Sequence, residues 1–541
     1  MTLKDTWLRL HDKAAQIFAP TGEVVSYAAL EARSRGLAAR LRAATGGKDE
    51  HVCILMENHP RWLEIAWGAI RAGCQVSGIN WHLPKDQAVS VARQAGSRFL
   101  FASSTLSDTA SAIQGGSADL RMAVTIGHGV DGFCAYESLI EKVPDDALAD
   151  VAHYGEFMFF SSGSTGIPKG INRALTQPTT QDGYSFGALV RAMNDMSVDS
   201  IAYSAPPLYH LGPCGFLLGA QSLGATIVLA DRFDPEVTLS DIERYRVTHL
   251  NLVPTMMIRL MKLPRAIRNR YDLSSLRMIF HGAGPCPVAT KRAMIDWLGP
   301  IFVEGYGGSE MLGSTRITSR EWLERPGSVG KRVTGGHPVI LGDDDRKLPP
   351  GEVGRIFFAD APKFEFCGEA PAPVSGPNGE QTYGDLGWMD RDGYLYITDR
   401  ADFVINSGGV KVMPQDVEAV IVAHQAVADV IAVAKRHAEL GQVPVAVVEL
   451  AAGYEPTTRL AEDLLEHCRI KLMRAAWPQK IYAVPSLPRA PTGKLYAKPL
   501  RDAFQTDNPD AALRALGIVP MADAALEISD QNSGIMEVGD E

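Results

Sequence analysis

Short apolar runs rich in β-branched residues alternate with helix-periodic segments through the middle of this chain. Strands are predicted over residues 225–230, 247–253 and 276–281, and helices over residues 235–246, 254–262 and 287–298. A helix between two strands returns the chain to the same end of the sheet, so the strands can pair in parallel. The alternation therefore predicts an α/β fold with a largely parallel sheet covered by helices on both faces.

The pattern changes after about residue 340, where proline and glycine become more frequent and a compact α+β pattern follows. We predict an N-terminal domain over residues 1–399, a hinge at residues 400–402 and a smaller, mobile α+β domain over residues 403–505. Residues 506–541 are acidic and interrupted by alanine and glycine, which is typical of a mobile tail.

Composition and charge exclude some classes of protein. With 541 residues, of which 46% are apolar and 21% are charged, the chain is globular in composition and long enough for a large and a small domain. A net charge of −10 argues against binding to nucleic acid, because phosphate backbones are bound by a basic face. The sequence leaves assembly into a homo-oligomer open.

Membrane insertion and secretion are not indicated either. The longest apolar stretch, residues 215–230, is interrupted by polar residues and is shorter than the ~20 residues of a membrane span. The N-terminus lacks the apolar segment of a secretory signal. Seven cysteines without CxxC spacing predict reduced thiols in a cytoplasmic protein and no zinc site.

Residues 161–170 read SSGSTGIPKG and directly follow the apolar run 157–160. Glycines let the backbone approach a ligand closely, while hydroxyls and amides can donate hydrogen bonds to anionic oxygens. Lys169 adds a positive charge. The spacing is not that of a Walker A loop, and a plain Ser/Gly-rich surface loop would have the same composition. The segment is a candidate polyphosphate-binding loop.

Four further strings follow in order: YGGSE at 306–310, YGDL at 383–386, DRADFVINSGG at 399–409 and PRAPTGK at 488–494. Together with the Ser/Gly loop they resemble the adenylate-forming superfamily, which includes acyl-CoA synthetases, aryl-CoA ligases, luciferases and peptide-synthetase adenylation domains. The resemblance implies a large multi-sheet α/β domain and a small mobile α+β domain. It also implies two half-reactions, in which a carboxylate and ATP give acyl-AMP and pyrophosphate, and a thiol then displaces AMP.

The resemblance implies ATP and coenzyme A as cosubstrates and Mg²⁺ as the metal, held by Glu310. Tyr306 would lie against the adenine, Asp385 would accept hydrogen bonds from the ribose, and Arg400 would support ribose and phosphate. The implied nucleotide-binding residues are Ser161, Ser162, Gly163, Ser164, Thr165, Gly166, Lys169, Gly282, Ala283, Gly284, Glu304, Gly305, Tyr306, Gly307, Ser309, Asp385, Ile397, Arg400 and Lys494.

The catalytic residues implied in the same way are Lys494, Glu310, Thr165, Lys169 and His210. Lys494 would bridge the acyl carboxylate and the α-phosphate while charge builds on the bridging oxygens. Asp402 matches the hinge position, about which the small domain would turn between the two half-reactions. The implied coenzyme A contacts are Ser407, Gly408, Gly409 and Lys411, although the same glycines could simply form a tight turn.

The implied acyl pocket comprises Tyr209, His210, Gly212, Gly215, Phe216, Gly282, Gly307, Met311 and Val329. Its glycines could leave room for a bulky apolar acid or could serve close helix packing. Leu211 stands where amino-acid-activating relatives have an Asp, which disfavours an amino-acid substrate. INWHL at 79–83 and EWLERPGSVG at 321–330 resemble bacterial fatty-, steroid- and aryl-acid CoA synthetases.

We therefore expect an AMP-forming carboxylate–CoA ligase for a hydrophobic acid. Two alternatives remain open: a stand-alone acyl-AMP ligase that passes its product to a carrier protein, and a nucleotide-binding regulatory protein without turnover. The chain departs from the family pattern at Tyr383, where a Thr usually precedes the glycine, and at residues 473–478.

Replacing Lys494 separates the two half-reactions. Lys494→Ala should reduce adenylation by roughly 10²–10³, the effect of removing one preorganised donor. The variant should still convert supplied acyl-AMP to the thioester. Pyrophosphate release measures the first step, and thioester formation from synthetic acyl-AMP measures the second. Equal loss of both would contradict this role for Lys494.

Overall fold

The computed structural model describes residues 3–45, 50–140, 153–161, 168–173, 184–368, 372–487, 497–506, 508–516 and 518–521. The chain folds into two compact units, and the boundary between them in the described sequence lies between Ile397 and Thr398. Among the described residues, no helix is both long enough and apolar enough to cross a membrane.

Unit 1 contains most of the secondary structure. Its strands are β1 (Ala14–Phe18), β2 (Glu23–Ser26), β3 (His51–Leu55), β4 (Gln75–Gly78), β5 (Ser97–Ser103), β6 (Met122–Ile126), β7 (Cys134–Ala135), β8 (Phe160–Ser161), β9 (Lys169–Arg173), β10 (Ile201–Ser204), β11 (Thr226–Leu229), β12 (His249–Leu252), β13 (Met278–Gly282), β14 (Phe302–Tyr306), β15 (Gly313–Thr318), β16 (Ser328–Gly335), β17 (His337–Leu341), β18 (Gly354–Ala359), β19 (Phe364–Phe366), β20 (Asp385–Met389) and β21 (Leu395–Arg400), the last of which continues into unit 2. Its helices are α1 (Leu3–Arg9), α2 (Tyr27–Thr45), α3 (Trp62–Arg71), α4 (Lys85–Gln94), α5 (Ser107–Gly116), α6 (Tyr136–Ile140), α7 (Ser185–Asn194), α8 (Leu211–Ser222), α9 (Pro235–Tyr245), α10 (Pro254–Lys262), α11 (Arg265–Arg268), α12 (Val288–Leu298) and α13 (Ser319–Glu324), with a 3₁₀ turn at Ser104–Leu106.

The largest element of unit 1 is a 13-stranded sheet. Its strand order is β17-β18-β20-β21-β16-β15-β14-β13-β12-β10-β11-β1-β2. The strands from β1 through β11, β10, β12 and β13 to β14 pair in parallel. Beyond β14 the pairing becomes antiparallel. The predicted parallel sheet is thus confirmed up to residue 306. The antiparallel half was not foreseen, and α13 shows that a short helix can also connect two antiparallel neighbours, β15 and β16.

Two helix N-caps show how the sequence determines where a helix begins. Asp234 precedes α9, and its carboxylate accepts hydrogen bonds of 3.0 Å from the amides of Glu236 and Val237. Pro235 occupies the first helical position, where its missing N–H costs nothing. Thr318 and Glu321 form a reciprocal capping box at the start of α13. These caps fix the helix starts close to where the sequence pattern predicts them.

A second, parallel sheet of five strands, β4-β3-β5-β6-β7, lies beside the large one. Its apolar side chains and those of the large sheet share one core with helices α2, α3 and α8, which includes the fully buried Trp62 and Trp67. A small antiparallel sheet, β19-β9-β8, completes unit 1. Helices α9, α10, α12 and α13 cover the other face of the large sheet.

Unit 2 has strands β22 (Ile405–Ser407), β23 (Val410–Val412), β24 (Val427–His437), β25 (Gly441–Leu450), β26 (Ile481–Val484) and β27 (Val519–Pro520), with helices α14 (Pro414–Val422), α15 (Thr458–Lys471), α16 (Ala497–Phe504) and α17 (Pro509–Ala515) and 3₁₀ turns at Ala401–Phe403 and Arg474–Ala476. Alternate residues of its sheet face two cores, one under α14 and α15 and one under α16 and α17. This is the predicted α+β pattern, and the predicted fold class is confirmed.

Secondary structure continues beyond residue 506, inside the segment predicted as a tail. Residues of α17 and β27 pack on unit 2, where Leu513, Ile518 and Met521 are buried. The three buried residues are spaced by five and three positions, which is not a helical or strand periodicity that can be read from sequence. Residues 522–541 lie outside the described part of the chain.

The segment leading into the Ser/Gly loop approaches the backbone of the α3–β4 connection very closely. A Cβ on Gly155 would lie 1.8 Å from the carbonyl oxygen of Cys74. Gly155→Ala should therefore lower the free energy of unfolding by about 1–3 kcal/mol, because the backbone must shift to admit one methyl group. Urea unfolding measures the change. Gly115→Ala is the matched control, since no atom lies within 4 Å of the added methyl group. A loss as large in the control as at Gly155 would refute the packing argument.

Candidate functional site

Two adjacent parallel strands end together at a glycine pair. Gly282 of β13 is in register with Gly305 of β14, and a Cβ on Gly282 would lie 2.5 Å from the carbonyl oxygen of Gly305. Ala283 follows with a left-handed φ of 66° and is exposed, as is Gly284. Ligands of α/β sheets bind at the carboxyl ends of parallel strands. The exposed backbone at Ala283 and Gly284 is therefore a candidate nucleotide site.

The next residue of β14 meets a carboxylate from β20. The Tyr306 hydroxyl donates a 2.7 Å hydrogen bond to Oδ2 of Asp385, which is 8% exposed. The Tyr306 ring lies nearly parallel to Phe358 at 6.4 Å and edge-on to Tyr383 at 5.8 Å. Ile397 and Val329 pack on the same apolar cluster. The structure thus brings together the residues predicted for adenine and for ribose.

Tyr383, noted from sequence only as a departure from the family, fixes the shape of this region. Its hydroxyl donates to the carbonyl of Gly313 at 3.0 Å and accepts from the amide of Gly313 at 3.2 Å. Burial raises the pKa of Tyr383 to about 12, so the phenol keeps its proton near neutral pH. A Cβ on Gly308 would lie 2.5 Å from the Tyr383 ring. Gly384, with a φ of 84°, makes the turn that leads to Asp385.

Glu310 lies between Gly308 and Gly313 in the sequence. Its Oε2 would be 2.6 Å from a Cβ on Gly308. Gly307, which is exposed, and Ser309 complete the same turn. Among the described residues, no group of three or more His, Cys, Asp or Glu side chains could hold a metal ion. A single carboxylate suits Mg²⁺ that is bound mainly through phosphate oxygens, which is the chemistry predicted for Glu310.

The Ser/Gly loop connects two strands that pair in a hairpin, with Ser161 opposite Lys169 in register. The Lys169 ammonium lies 5.1 Å from the centre of the Phe366 ring. Ile171 of β9 packs in the same apolar cluster as Tyr306 and Tyr383. The hairpin that carries the predicted phosphate-binding loop thus lies beside the residues predicted for adenine and ribose. The predicted contacts at Ser162, Gly163, Ser164, Thr165, Gly166 and Lys494 lie outside the described residues.

Arg173, which the sequence analysis did not single out, links this hairpin to the YGGSE turn. Its guanidinium donates to the Met311 sulfur and, at 3.1 Å, to the carbonyl of Phe157. Burial lowers the pKa of Arg173 despite the nearby Glu156. Met311 adopts a left-handed φ of 53° directly after Glu310. Arg173 is the last residue of β9, whose sequence KGINR contains no pattern that would single out this arginine.

The side chain of Glu304, one of the predicted nucleotide-binding residues, is buried against α12. The buried Lys291 of α12 donates a 2.5 Å hydrogen bond to Oε2 of Glu304, and His281 lies 3.9 Å from the same oxygen. Burial raises the pKa of Glu304 and lowers that of Lys291. The carboxylate is thus turned to Lys291, which leaves only the backbone of Glu304 for the predicted nucleotide contact.

The predicted acyl residues fall into two groups. Gly282, Gly307, Met311 and Val329 belong to the strand ends and turns around Tyr306. The others belong to the loop before α8 or to α8 itself, namely Tyr209, His210, Gly212, Gly215 and Phe216. The Tyr209 and His210 rings lie 4.3 Å apart, and Phe216 is packed in the core shared by the two large sheets. No atom lies within 4 Å of a Cβ added at Gly212, which leaves space there.

In unit 2, Asp402 lies exposed in the turn Ala401–Phe403 that follows Arg400. Asp399 accepts hydrogen bonds from the amides of Arg400 and Gln415, at 2.7 and 3.3 Å. Gly408 and Gly409, with φ of 56° and 85°, form the two-residue turn between β22 and β23. Ser407 is buried beside this turn and Lys411 is exposed. The glycines are therefore a tight turn, and coenzyme A binding at this turn remains a prediction.

Comparison with known proteins shows which family the chain belongs to. Its sequence matches the AMP-binding enzyme family over residues 3–361 and the AMP-binding enzyme C-terminal domain over residues 416–494. This chain belongs to the AMP-binding enzyme family. The predicted superfamily and enzyme class, an AMP-forming acid–thiol ligase that uses ATP and coenzyme A, are confirmed at the level of the family.

The names of individual relatives state different acids and different acceptors of the acyl group. A 2-succinylbenzoate–CoA ligase of Bacillus subtilis is 27% identical over 89% of this chain and 93% of its own. A fatty acid–acyl-carrier-protein ligase, ScoC of Streptomyces coeruleorubidus, is 25% identical over 90% of this chain and 93% of its own. The anthranilate CoA ligase AuaEII in complex with anthranoyl-AMP has a TM-score of 0.80 at 22% identity, covering 93% of this chain and 97% of that one, which shows the shared fold.

Removing the Tyr306 hydroxyl tests whether the Tyr306–Asp385 pair serves the nucleotide. Tyr306→Phe should raise the KM for ATP by about three- to tenfold, because one hydrogen bond that orients the carboxylate is lost. The KM for the acid should stay within about twofold. ATP–pyrophosphate exchange at varied ATP and acid measures both values. Tyr203→Phe is the control, since it removes a buried hydroxyl that bonds Asp241 in another core. An equal effect in the control would exclude a specific role for Tyr306.

Proposed function

We propose that this enzyme activates a hydrophobic carboxylic acid as its acyl adenylate and transfers the acyl group to coenzyme A. The observation that carries the proposal is the Tyr306–Asp385 pair at the carboxyl ends of β13 and β14, beside the β8–β9 hairpin. A carboxylate for ribose, an aromatic ring for adenine and a cationic hairpin for phosphates suit a nucleoside triphosphate. Membership of the AMP-binding enzyme family supports the same reaction.

In the first half-reaction the acid's carboxylate oxygen attacks the α-phosphorus of ATP. The bond from the α-phosphorus to the oxygen that bridges it to the β-phosphate breaks, and pyrophosphate leaves. Because carboxylate and triphosphate repel each other, catalysis here is mainly positioning and charge neutralisation. Lys169 and the hydroxyls of the Ser/Gly loop would hold the β- and γ-phosphates, Glu310 would hold Mg²⁺, and Lys494 would neutralise the forming anhydride.

In the second half-reaction the thiolate of coenzyme A attacks the acyl carbon and displaces AMP. We propose the hinge at residues 400–402, with Asp402 at its centre, as the place where the backbone changes between the steps. The Ser407–Lys411 turn of unit 2 would then contact the pantetheine arm, since glycines leave its backbone open. The domain limits 1–399 and 403–505 follow from the same proposal.

The acid is proposed to be fatty, aryl or alicyclic. Leu211 supports this because no acidic side chain follows His210 to bind an α-ammonium group. The open space at Gly212, at the start of α8, is compatible with an apolar acid. The relative from Bacillus subtilis, a ligase of an aryl acid, lends further support. We also propose the cytoplasm as the location, on the basis of the reduced cysteines that the sequence predicts.

A second candidate function is transfer of the acyl group to a carrier protein. The observation that favours it is the similarity to the carrier-protein ligase of Streptomyces coeruleorubidus. The two functions differ in one measurable respect: a CoA ligase releases AMP when coenzyme A is added, whereas a carrier-protein ligase retains acyl-AMP until the carrier is present.

An assay with the purified enzyme tests the proposal. Labelled pyrophosphate should exchange into ATP only when a suitable acid is present, and a panel of aliphatic, aryl and alicyclic acids should identify the class. Addition of coenzyme A should release AMP and form thioester. Glu310→Gln should reduce exchange at least about 10²-fold if Glu310 holds Mg²⁺. Absence of acid-dependent exchange across the panel would refute the adenylation proposal, and AMP release only with a carrier protein would favour the second candidate.

A further inference from the structure

The loop between β10 and α8, residues 205–210, is held by one side chain from a different sheet. Asn58 follows β3 of the five-stranded sheet and is 5% exposed. Its Nδ2 donates to the carbonyls of Ala205 at 3.1 Å, Pro206 at 3.2 Å and Ala230 at 2.9 Å. Its Oδ1 accepts from the amide of Leu208 at 3.0 Å. Four hydrogen bonds thus converge on one buried amide, three of them from the loop itself.

A second contact from the same sheet supports the loop independently. Gly78 is the last residue of β4, and a Cβ at this position would lie 2.6 Å from Cα and 2.7 Å from Cβ of Tyr209. It would also lie 3.3 Å from the ring of Trp62. Tyr209 can therefore sit against the end of β4 only because residue 78 has no side chain. The backbone of the loop is fixed by a hydrogen-bonding side chain on one element and by a close approach on another.

These contacts decide where the proposed acyl residues lie. The loop ends at His210, the residue before the first turn of α8, and Cys214 donates its amide to the His210 carbonyl at 3.1 Å. A shift of the loop therefore moves His210 and the first turn of α8 together. The support of the nucleotide residues is separate, because Tyr306, Tyr383 and Phe358 belong to another apolar cluster.

We propose that Asn58 and Gly78 are positioning residues for acid specificity, acting through the loop that carries Tyr209 and His210. The inference rests on the proposed function, in which this loop borders the acyl pocket. The five-stranded sheet then sets the affinity for the acid, while the ends of β13 and β14 set the affinity for ATP. Neither Asn58 nor Gly78 contacts the reacting atoms in this proposal.

Three variants test the inference. Asn58→Ala removes the four hydrogen bonds, Asn58→Asp keeps the acceptor for Leu208 but turns a negative charge toward three carbonyls, and Gly78→Ala displaces Tyr209. Each should raise the KM for the acid about tenfold or more, which corresponds to about 1.4 kcal/mol, the order of one net hydrogen bond. The KM for ATP should stay within about twofold, and the rank order of acids in the panel should change.

Two control variants separate positioning from general destabilisation. Thr248→Val removes two hydrogen bonds of the Thr248 hydroxyl, with the amide of Ile201 at 2.8 Å and with its carbonyl at 3.1 Å. Thr248 directly precedes β12, at the amino end of that strand. Gly129→Ala adds a methyl group where no atom lies within 4 Å. Neither should change the KM for the acid relative to that for ATP. Urea unfolding of all five variants ranks their stability.

The outcomes are distinct. If the wild-type enzyme exchanges pyrophosphate and Gly78→Ala or either Asn58 variant raises only the acid KM, the inference is supported. If all of these variants that fold leave the acid KM unchanged, or raise the acid and ATP KM values by the same factor, the inference is wrong. Should both Asn58 variants fail to fold, Gly78→Ala decides. Absence of exchange in the wild type itself would instead overturn the proposed function.

Discussion

The close approach of β13 and β14 at Gly282 and Gly305 is the constraint on which the candidate site depends. A side chain at residue 282 would separate the strands, because its first carbon would lie 2.5 Å from a carbonyl oxygen. With both glycines in place, the two strands end level and expose Ala283 beside Tyr306. The phosphate hairpin, the YGGSE turn and Asp385 then gather around these strand ends through the apolar cluster that includes Ile171, Tyr383 and Ile397.

Much of this architecture could be predicted from the sequence, since local patterns decide it. The helices after β11, β12 and β13 have limits close to those predicted from their periodicity, and the first of them also starts at a cap, Asp234–Pro235. The glycine-rich strings likewise indicated the turn at Gly408–Gly409 and the ends of β13 and β14. The family, the enzyme class and the fold class followed from the order of these strings and are confirmed.

The remaining features depend on contacts between distant segments, which local patterns do not contain. The bond of Tyr306 to Asp385 spans 79 positions, and those of Asn58 to the loop before α8 span about 150. The pairing of Lys291 with Glu304 joins a helix to a neighbouring strand, and no sequence pattern indicated it. The packing of Leu513 and Met521 in unit 2 depends on the pairing of β27 with β26, about 37 positions earlier in the chain, so the sequence suggested a tail there.

The crowding between Tyr383 and Gly308 has a consequence for how this protein could have diverged from its relatives. The large phenol is tolerated only while residue 308 lacks a side chain, and any residue larger than glycine at 308 requires a smaller one at 383. The two positions therefore cannot change in arbitrary order. Glycine at position 308 must persist for as long as tyrosine stands at position 383.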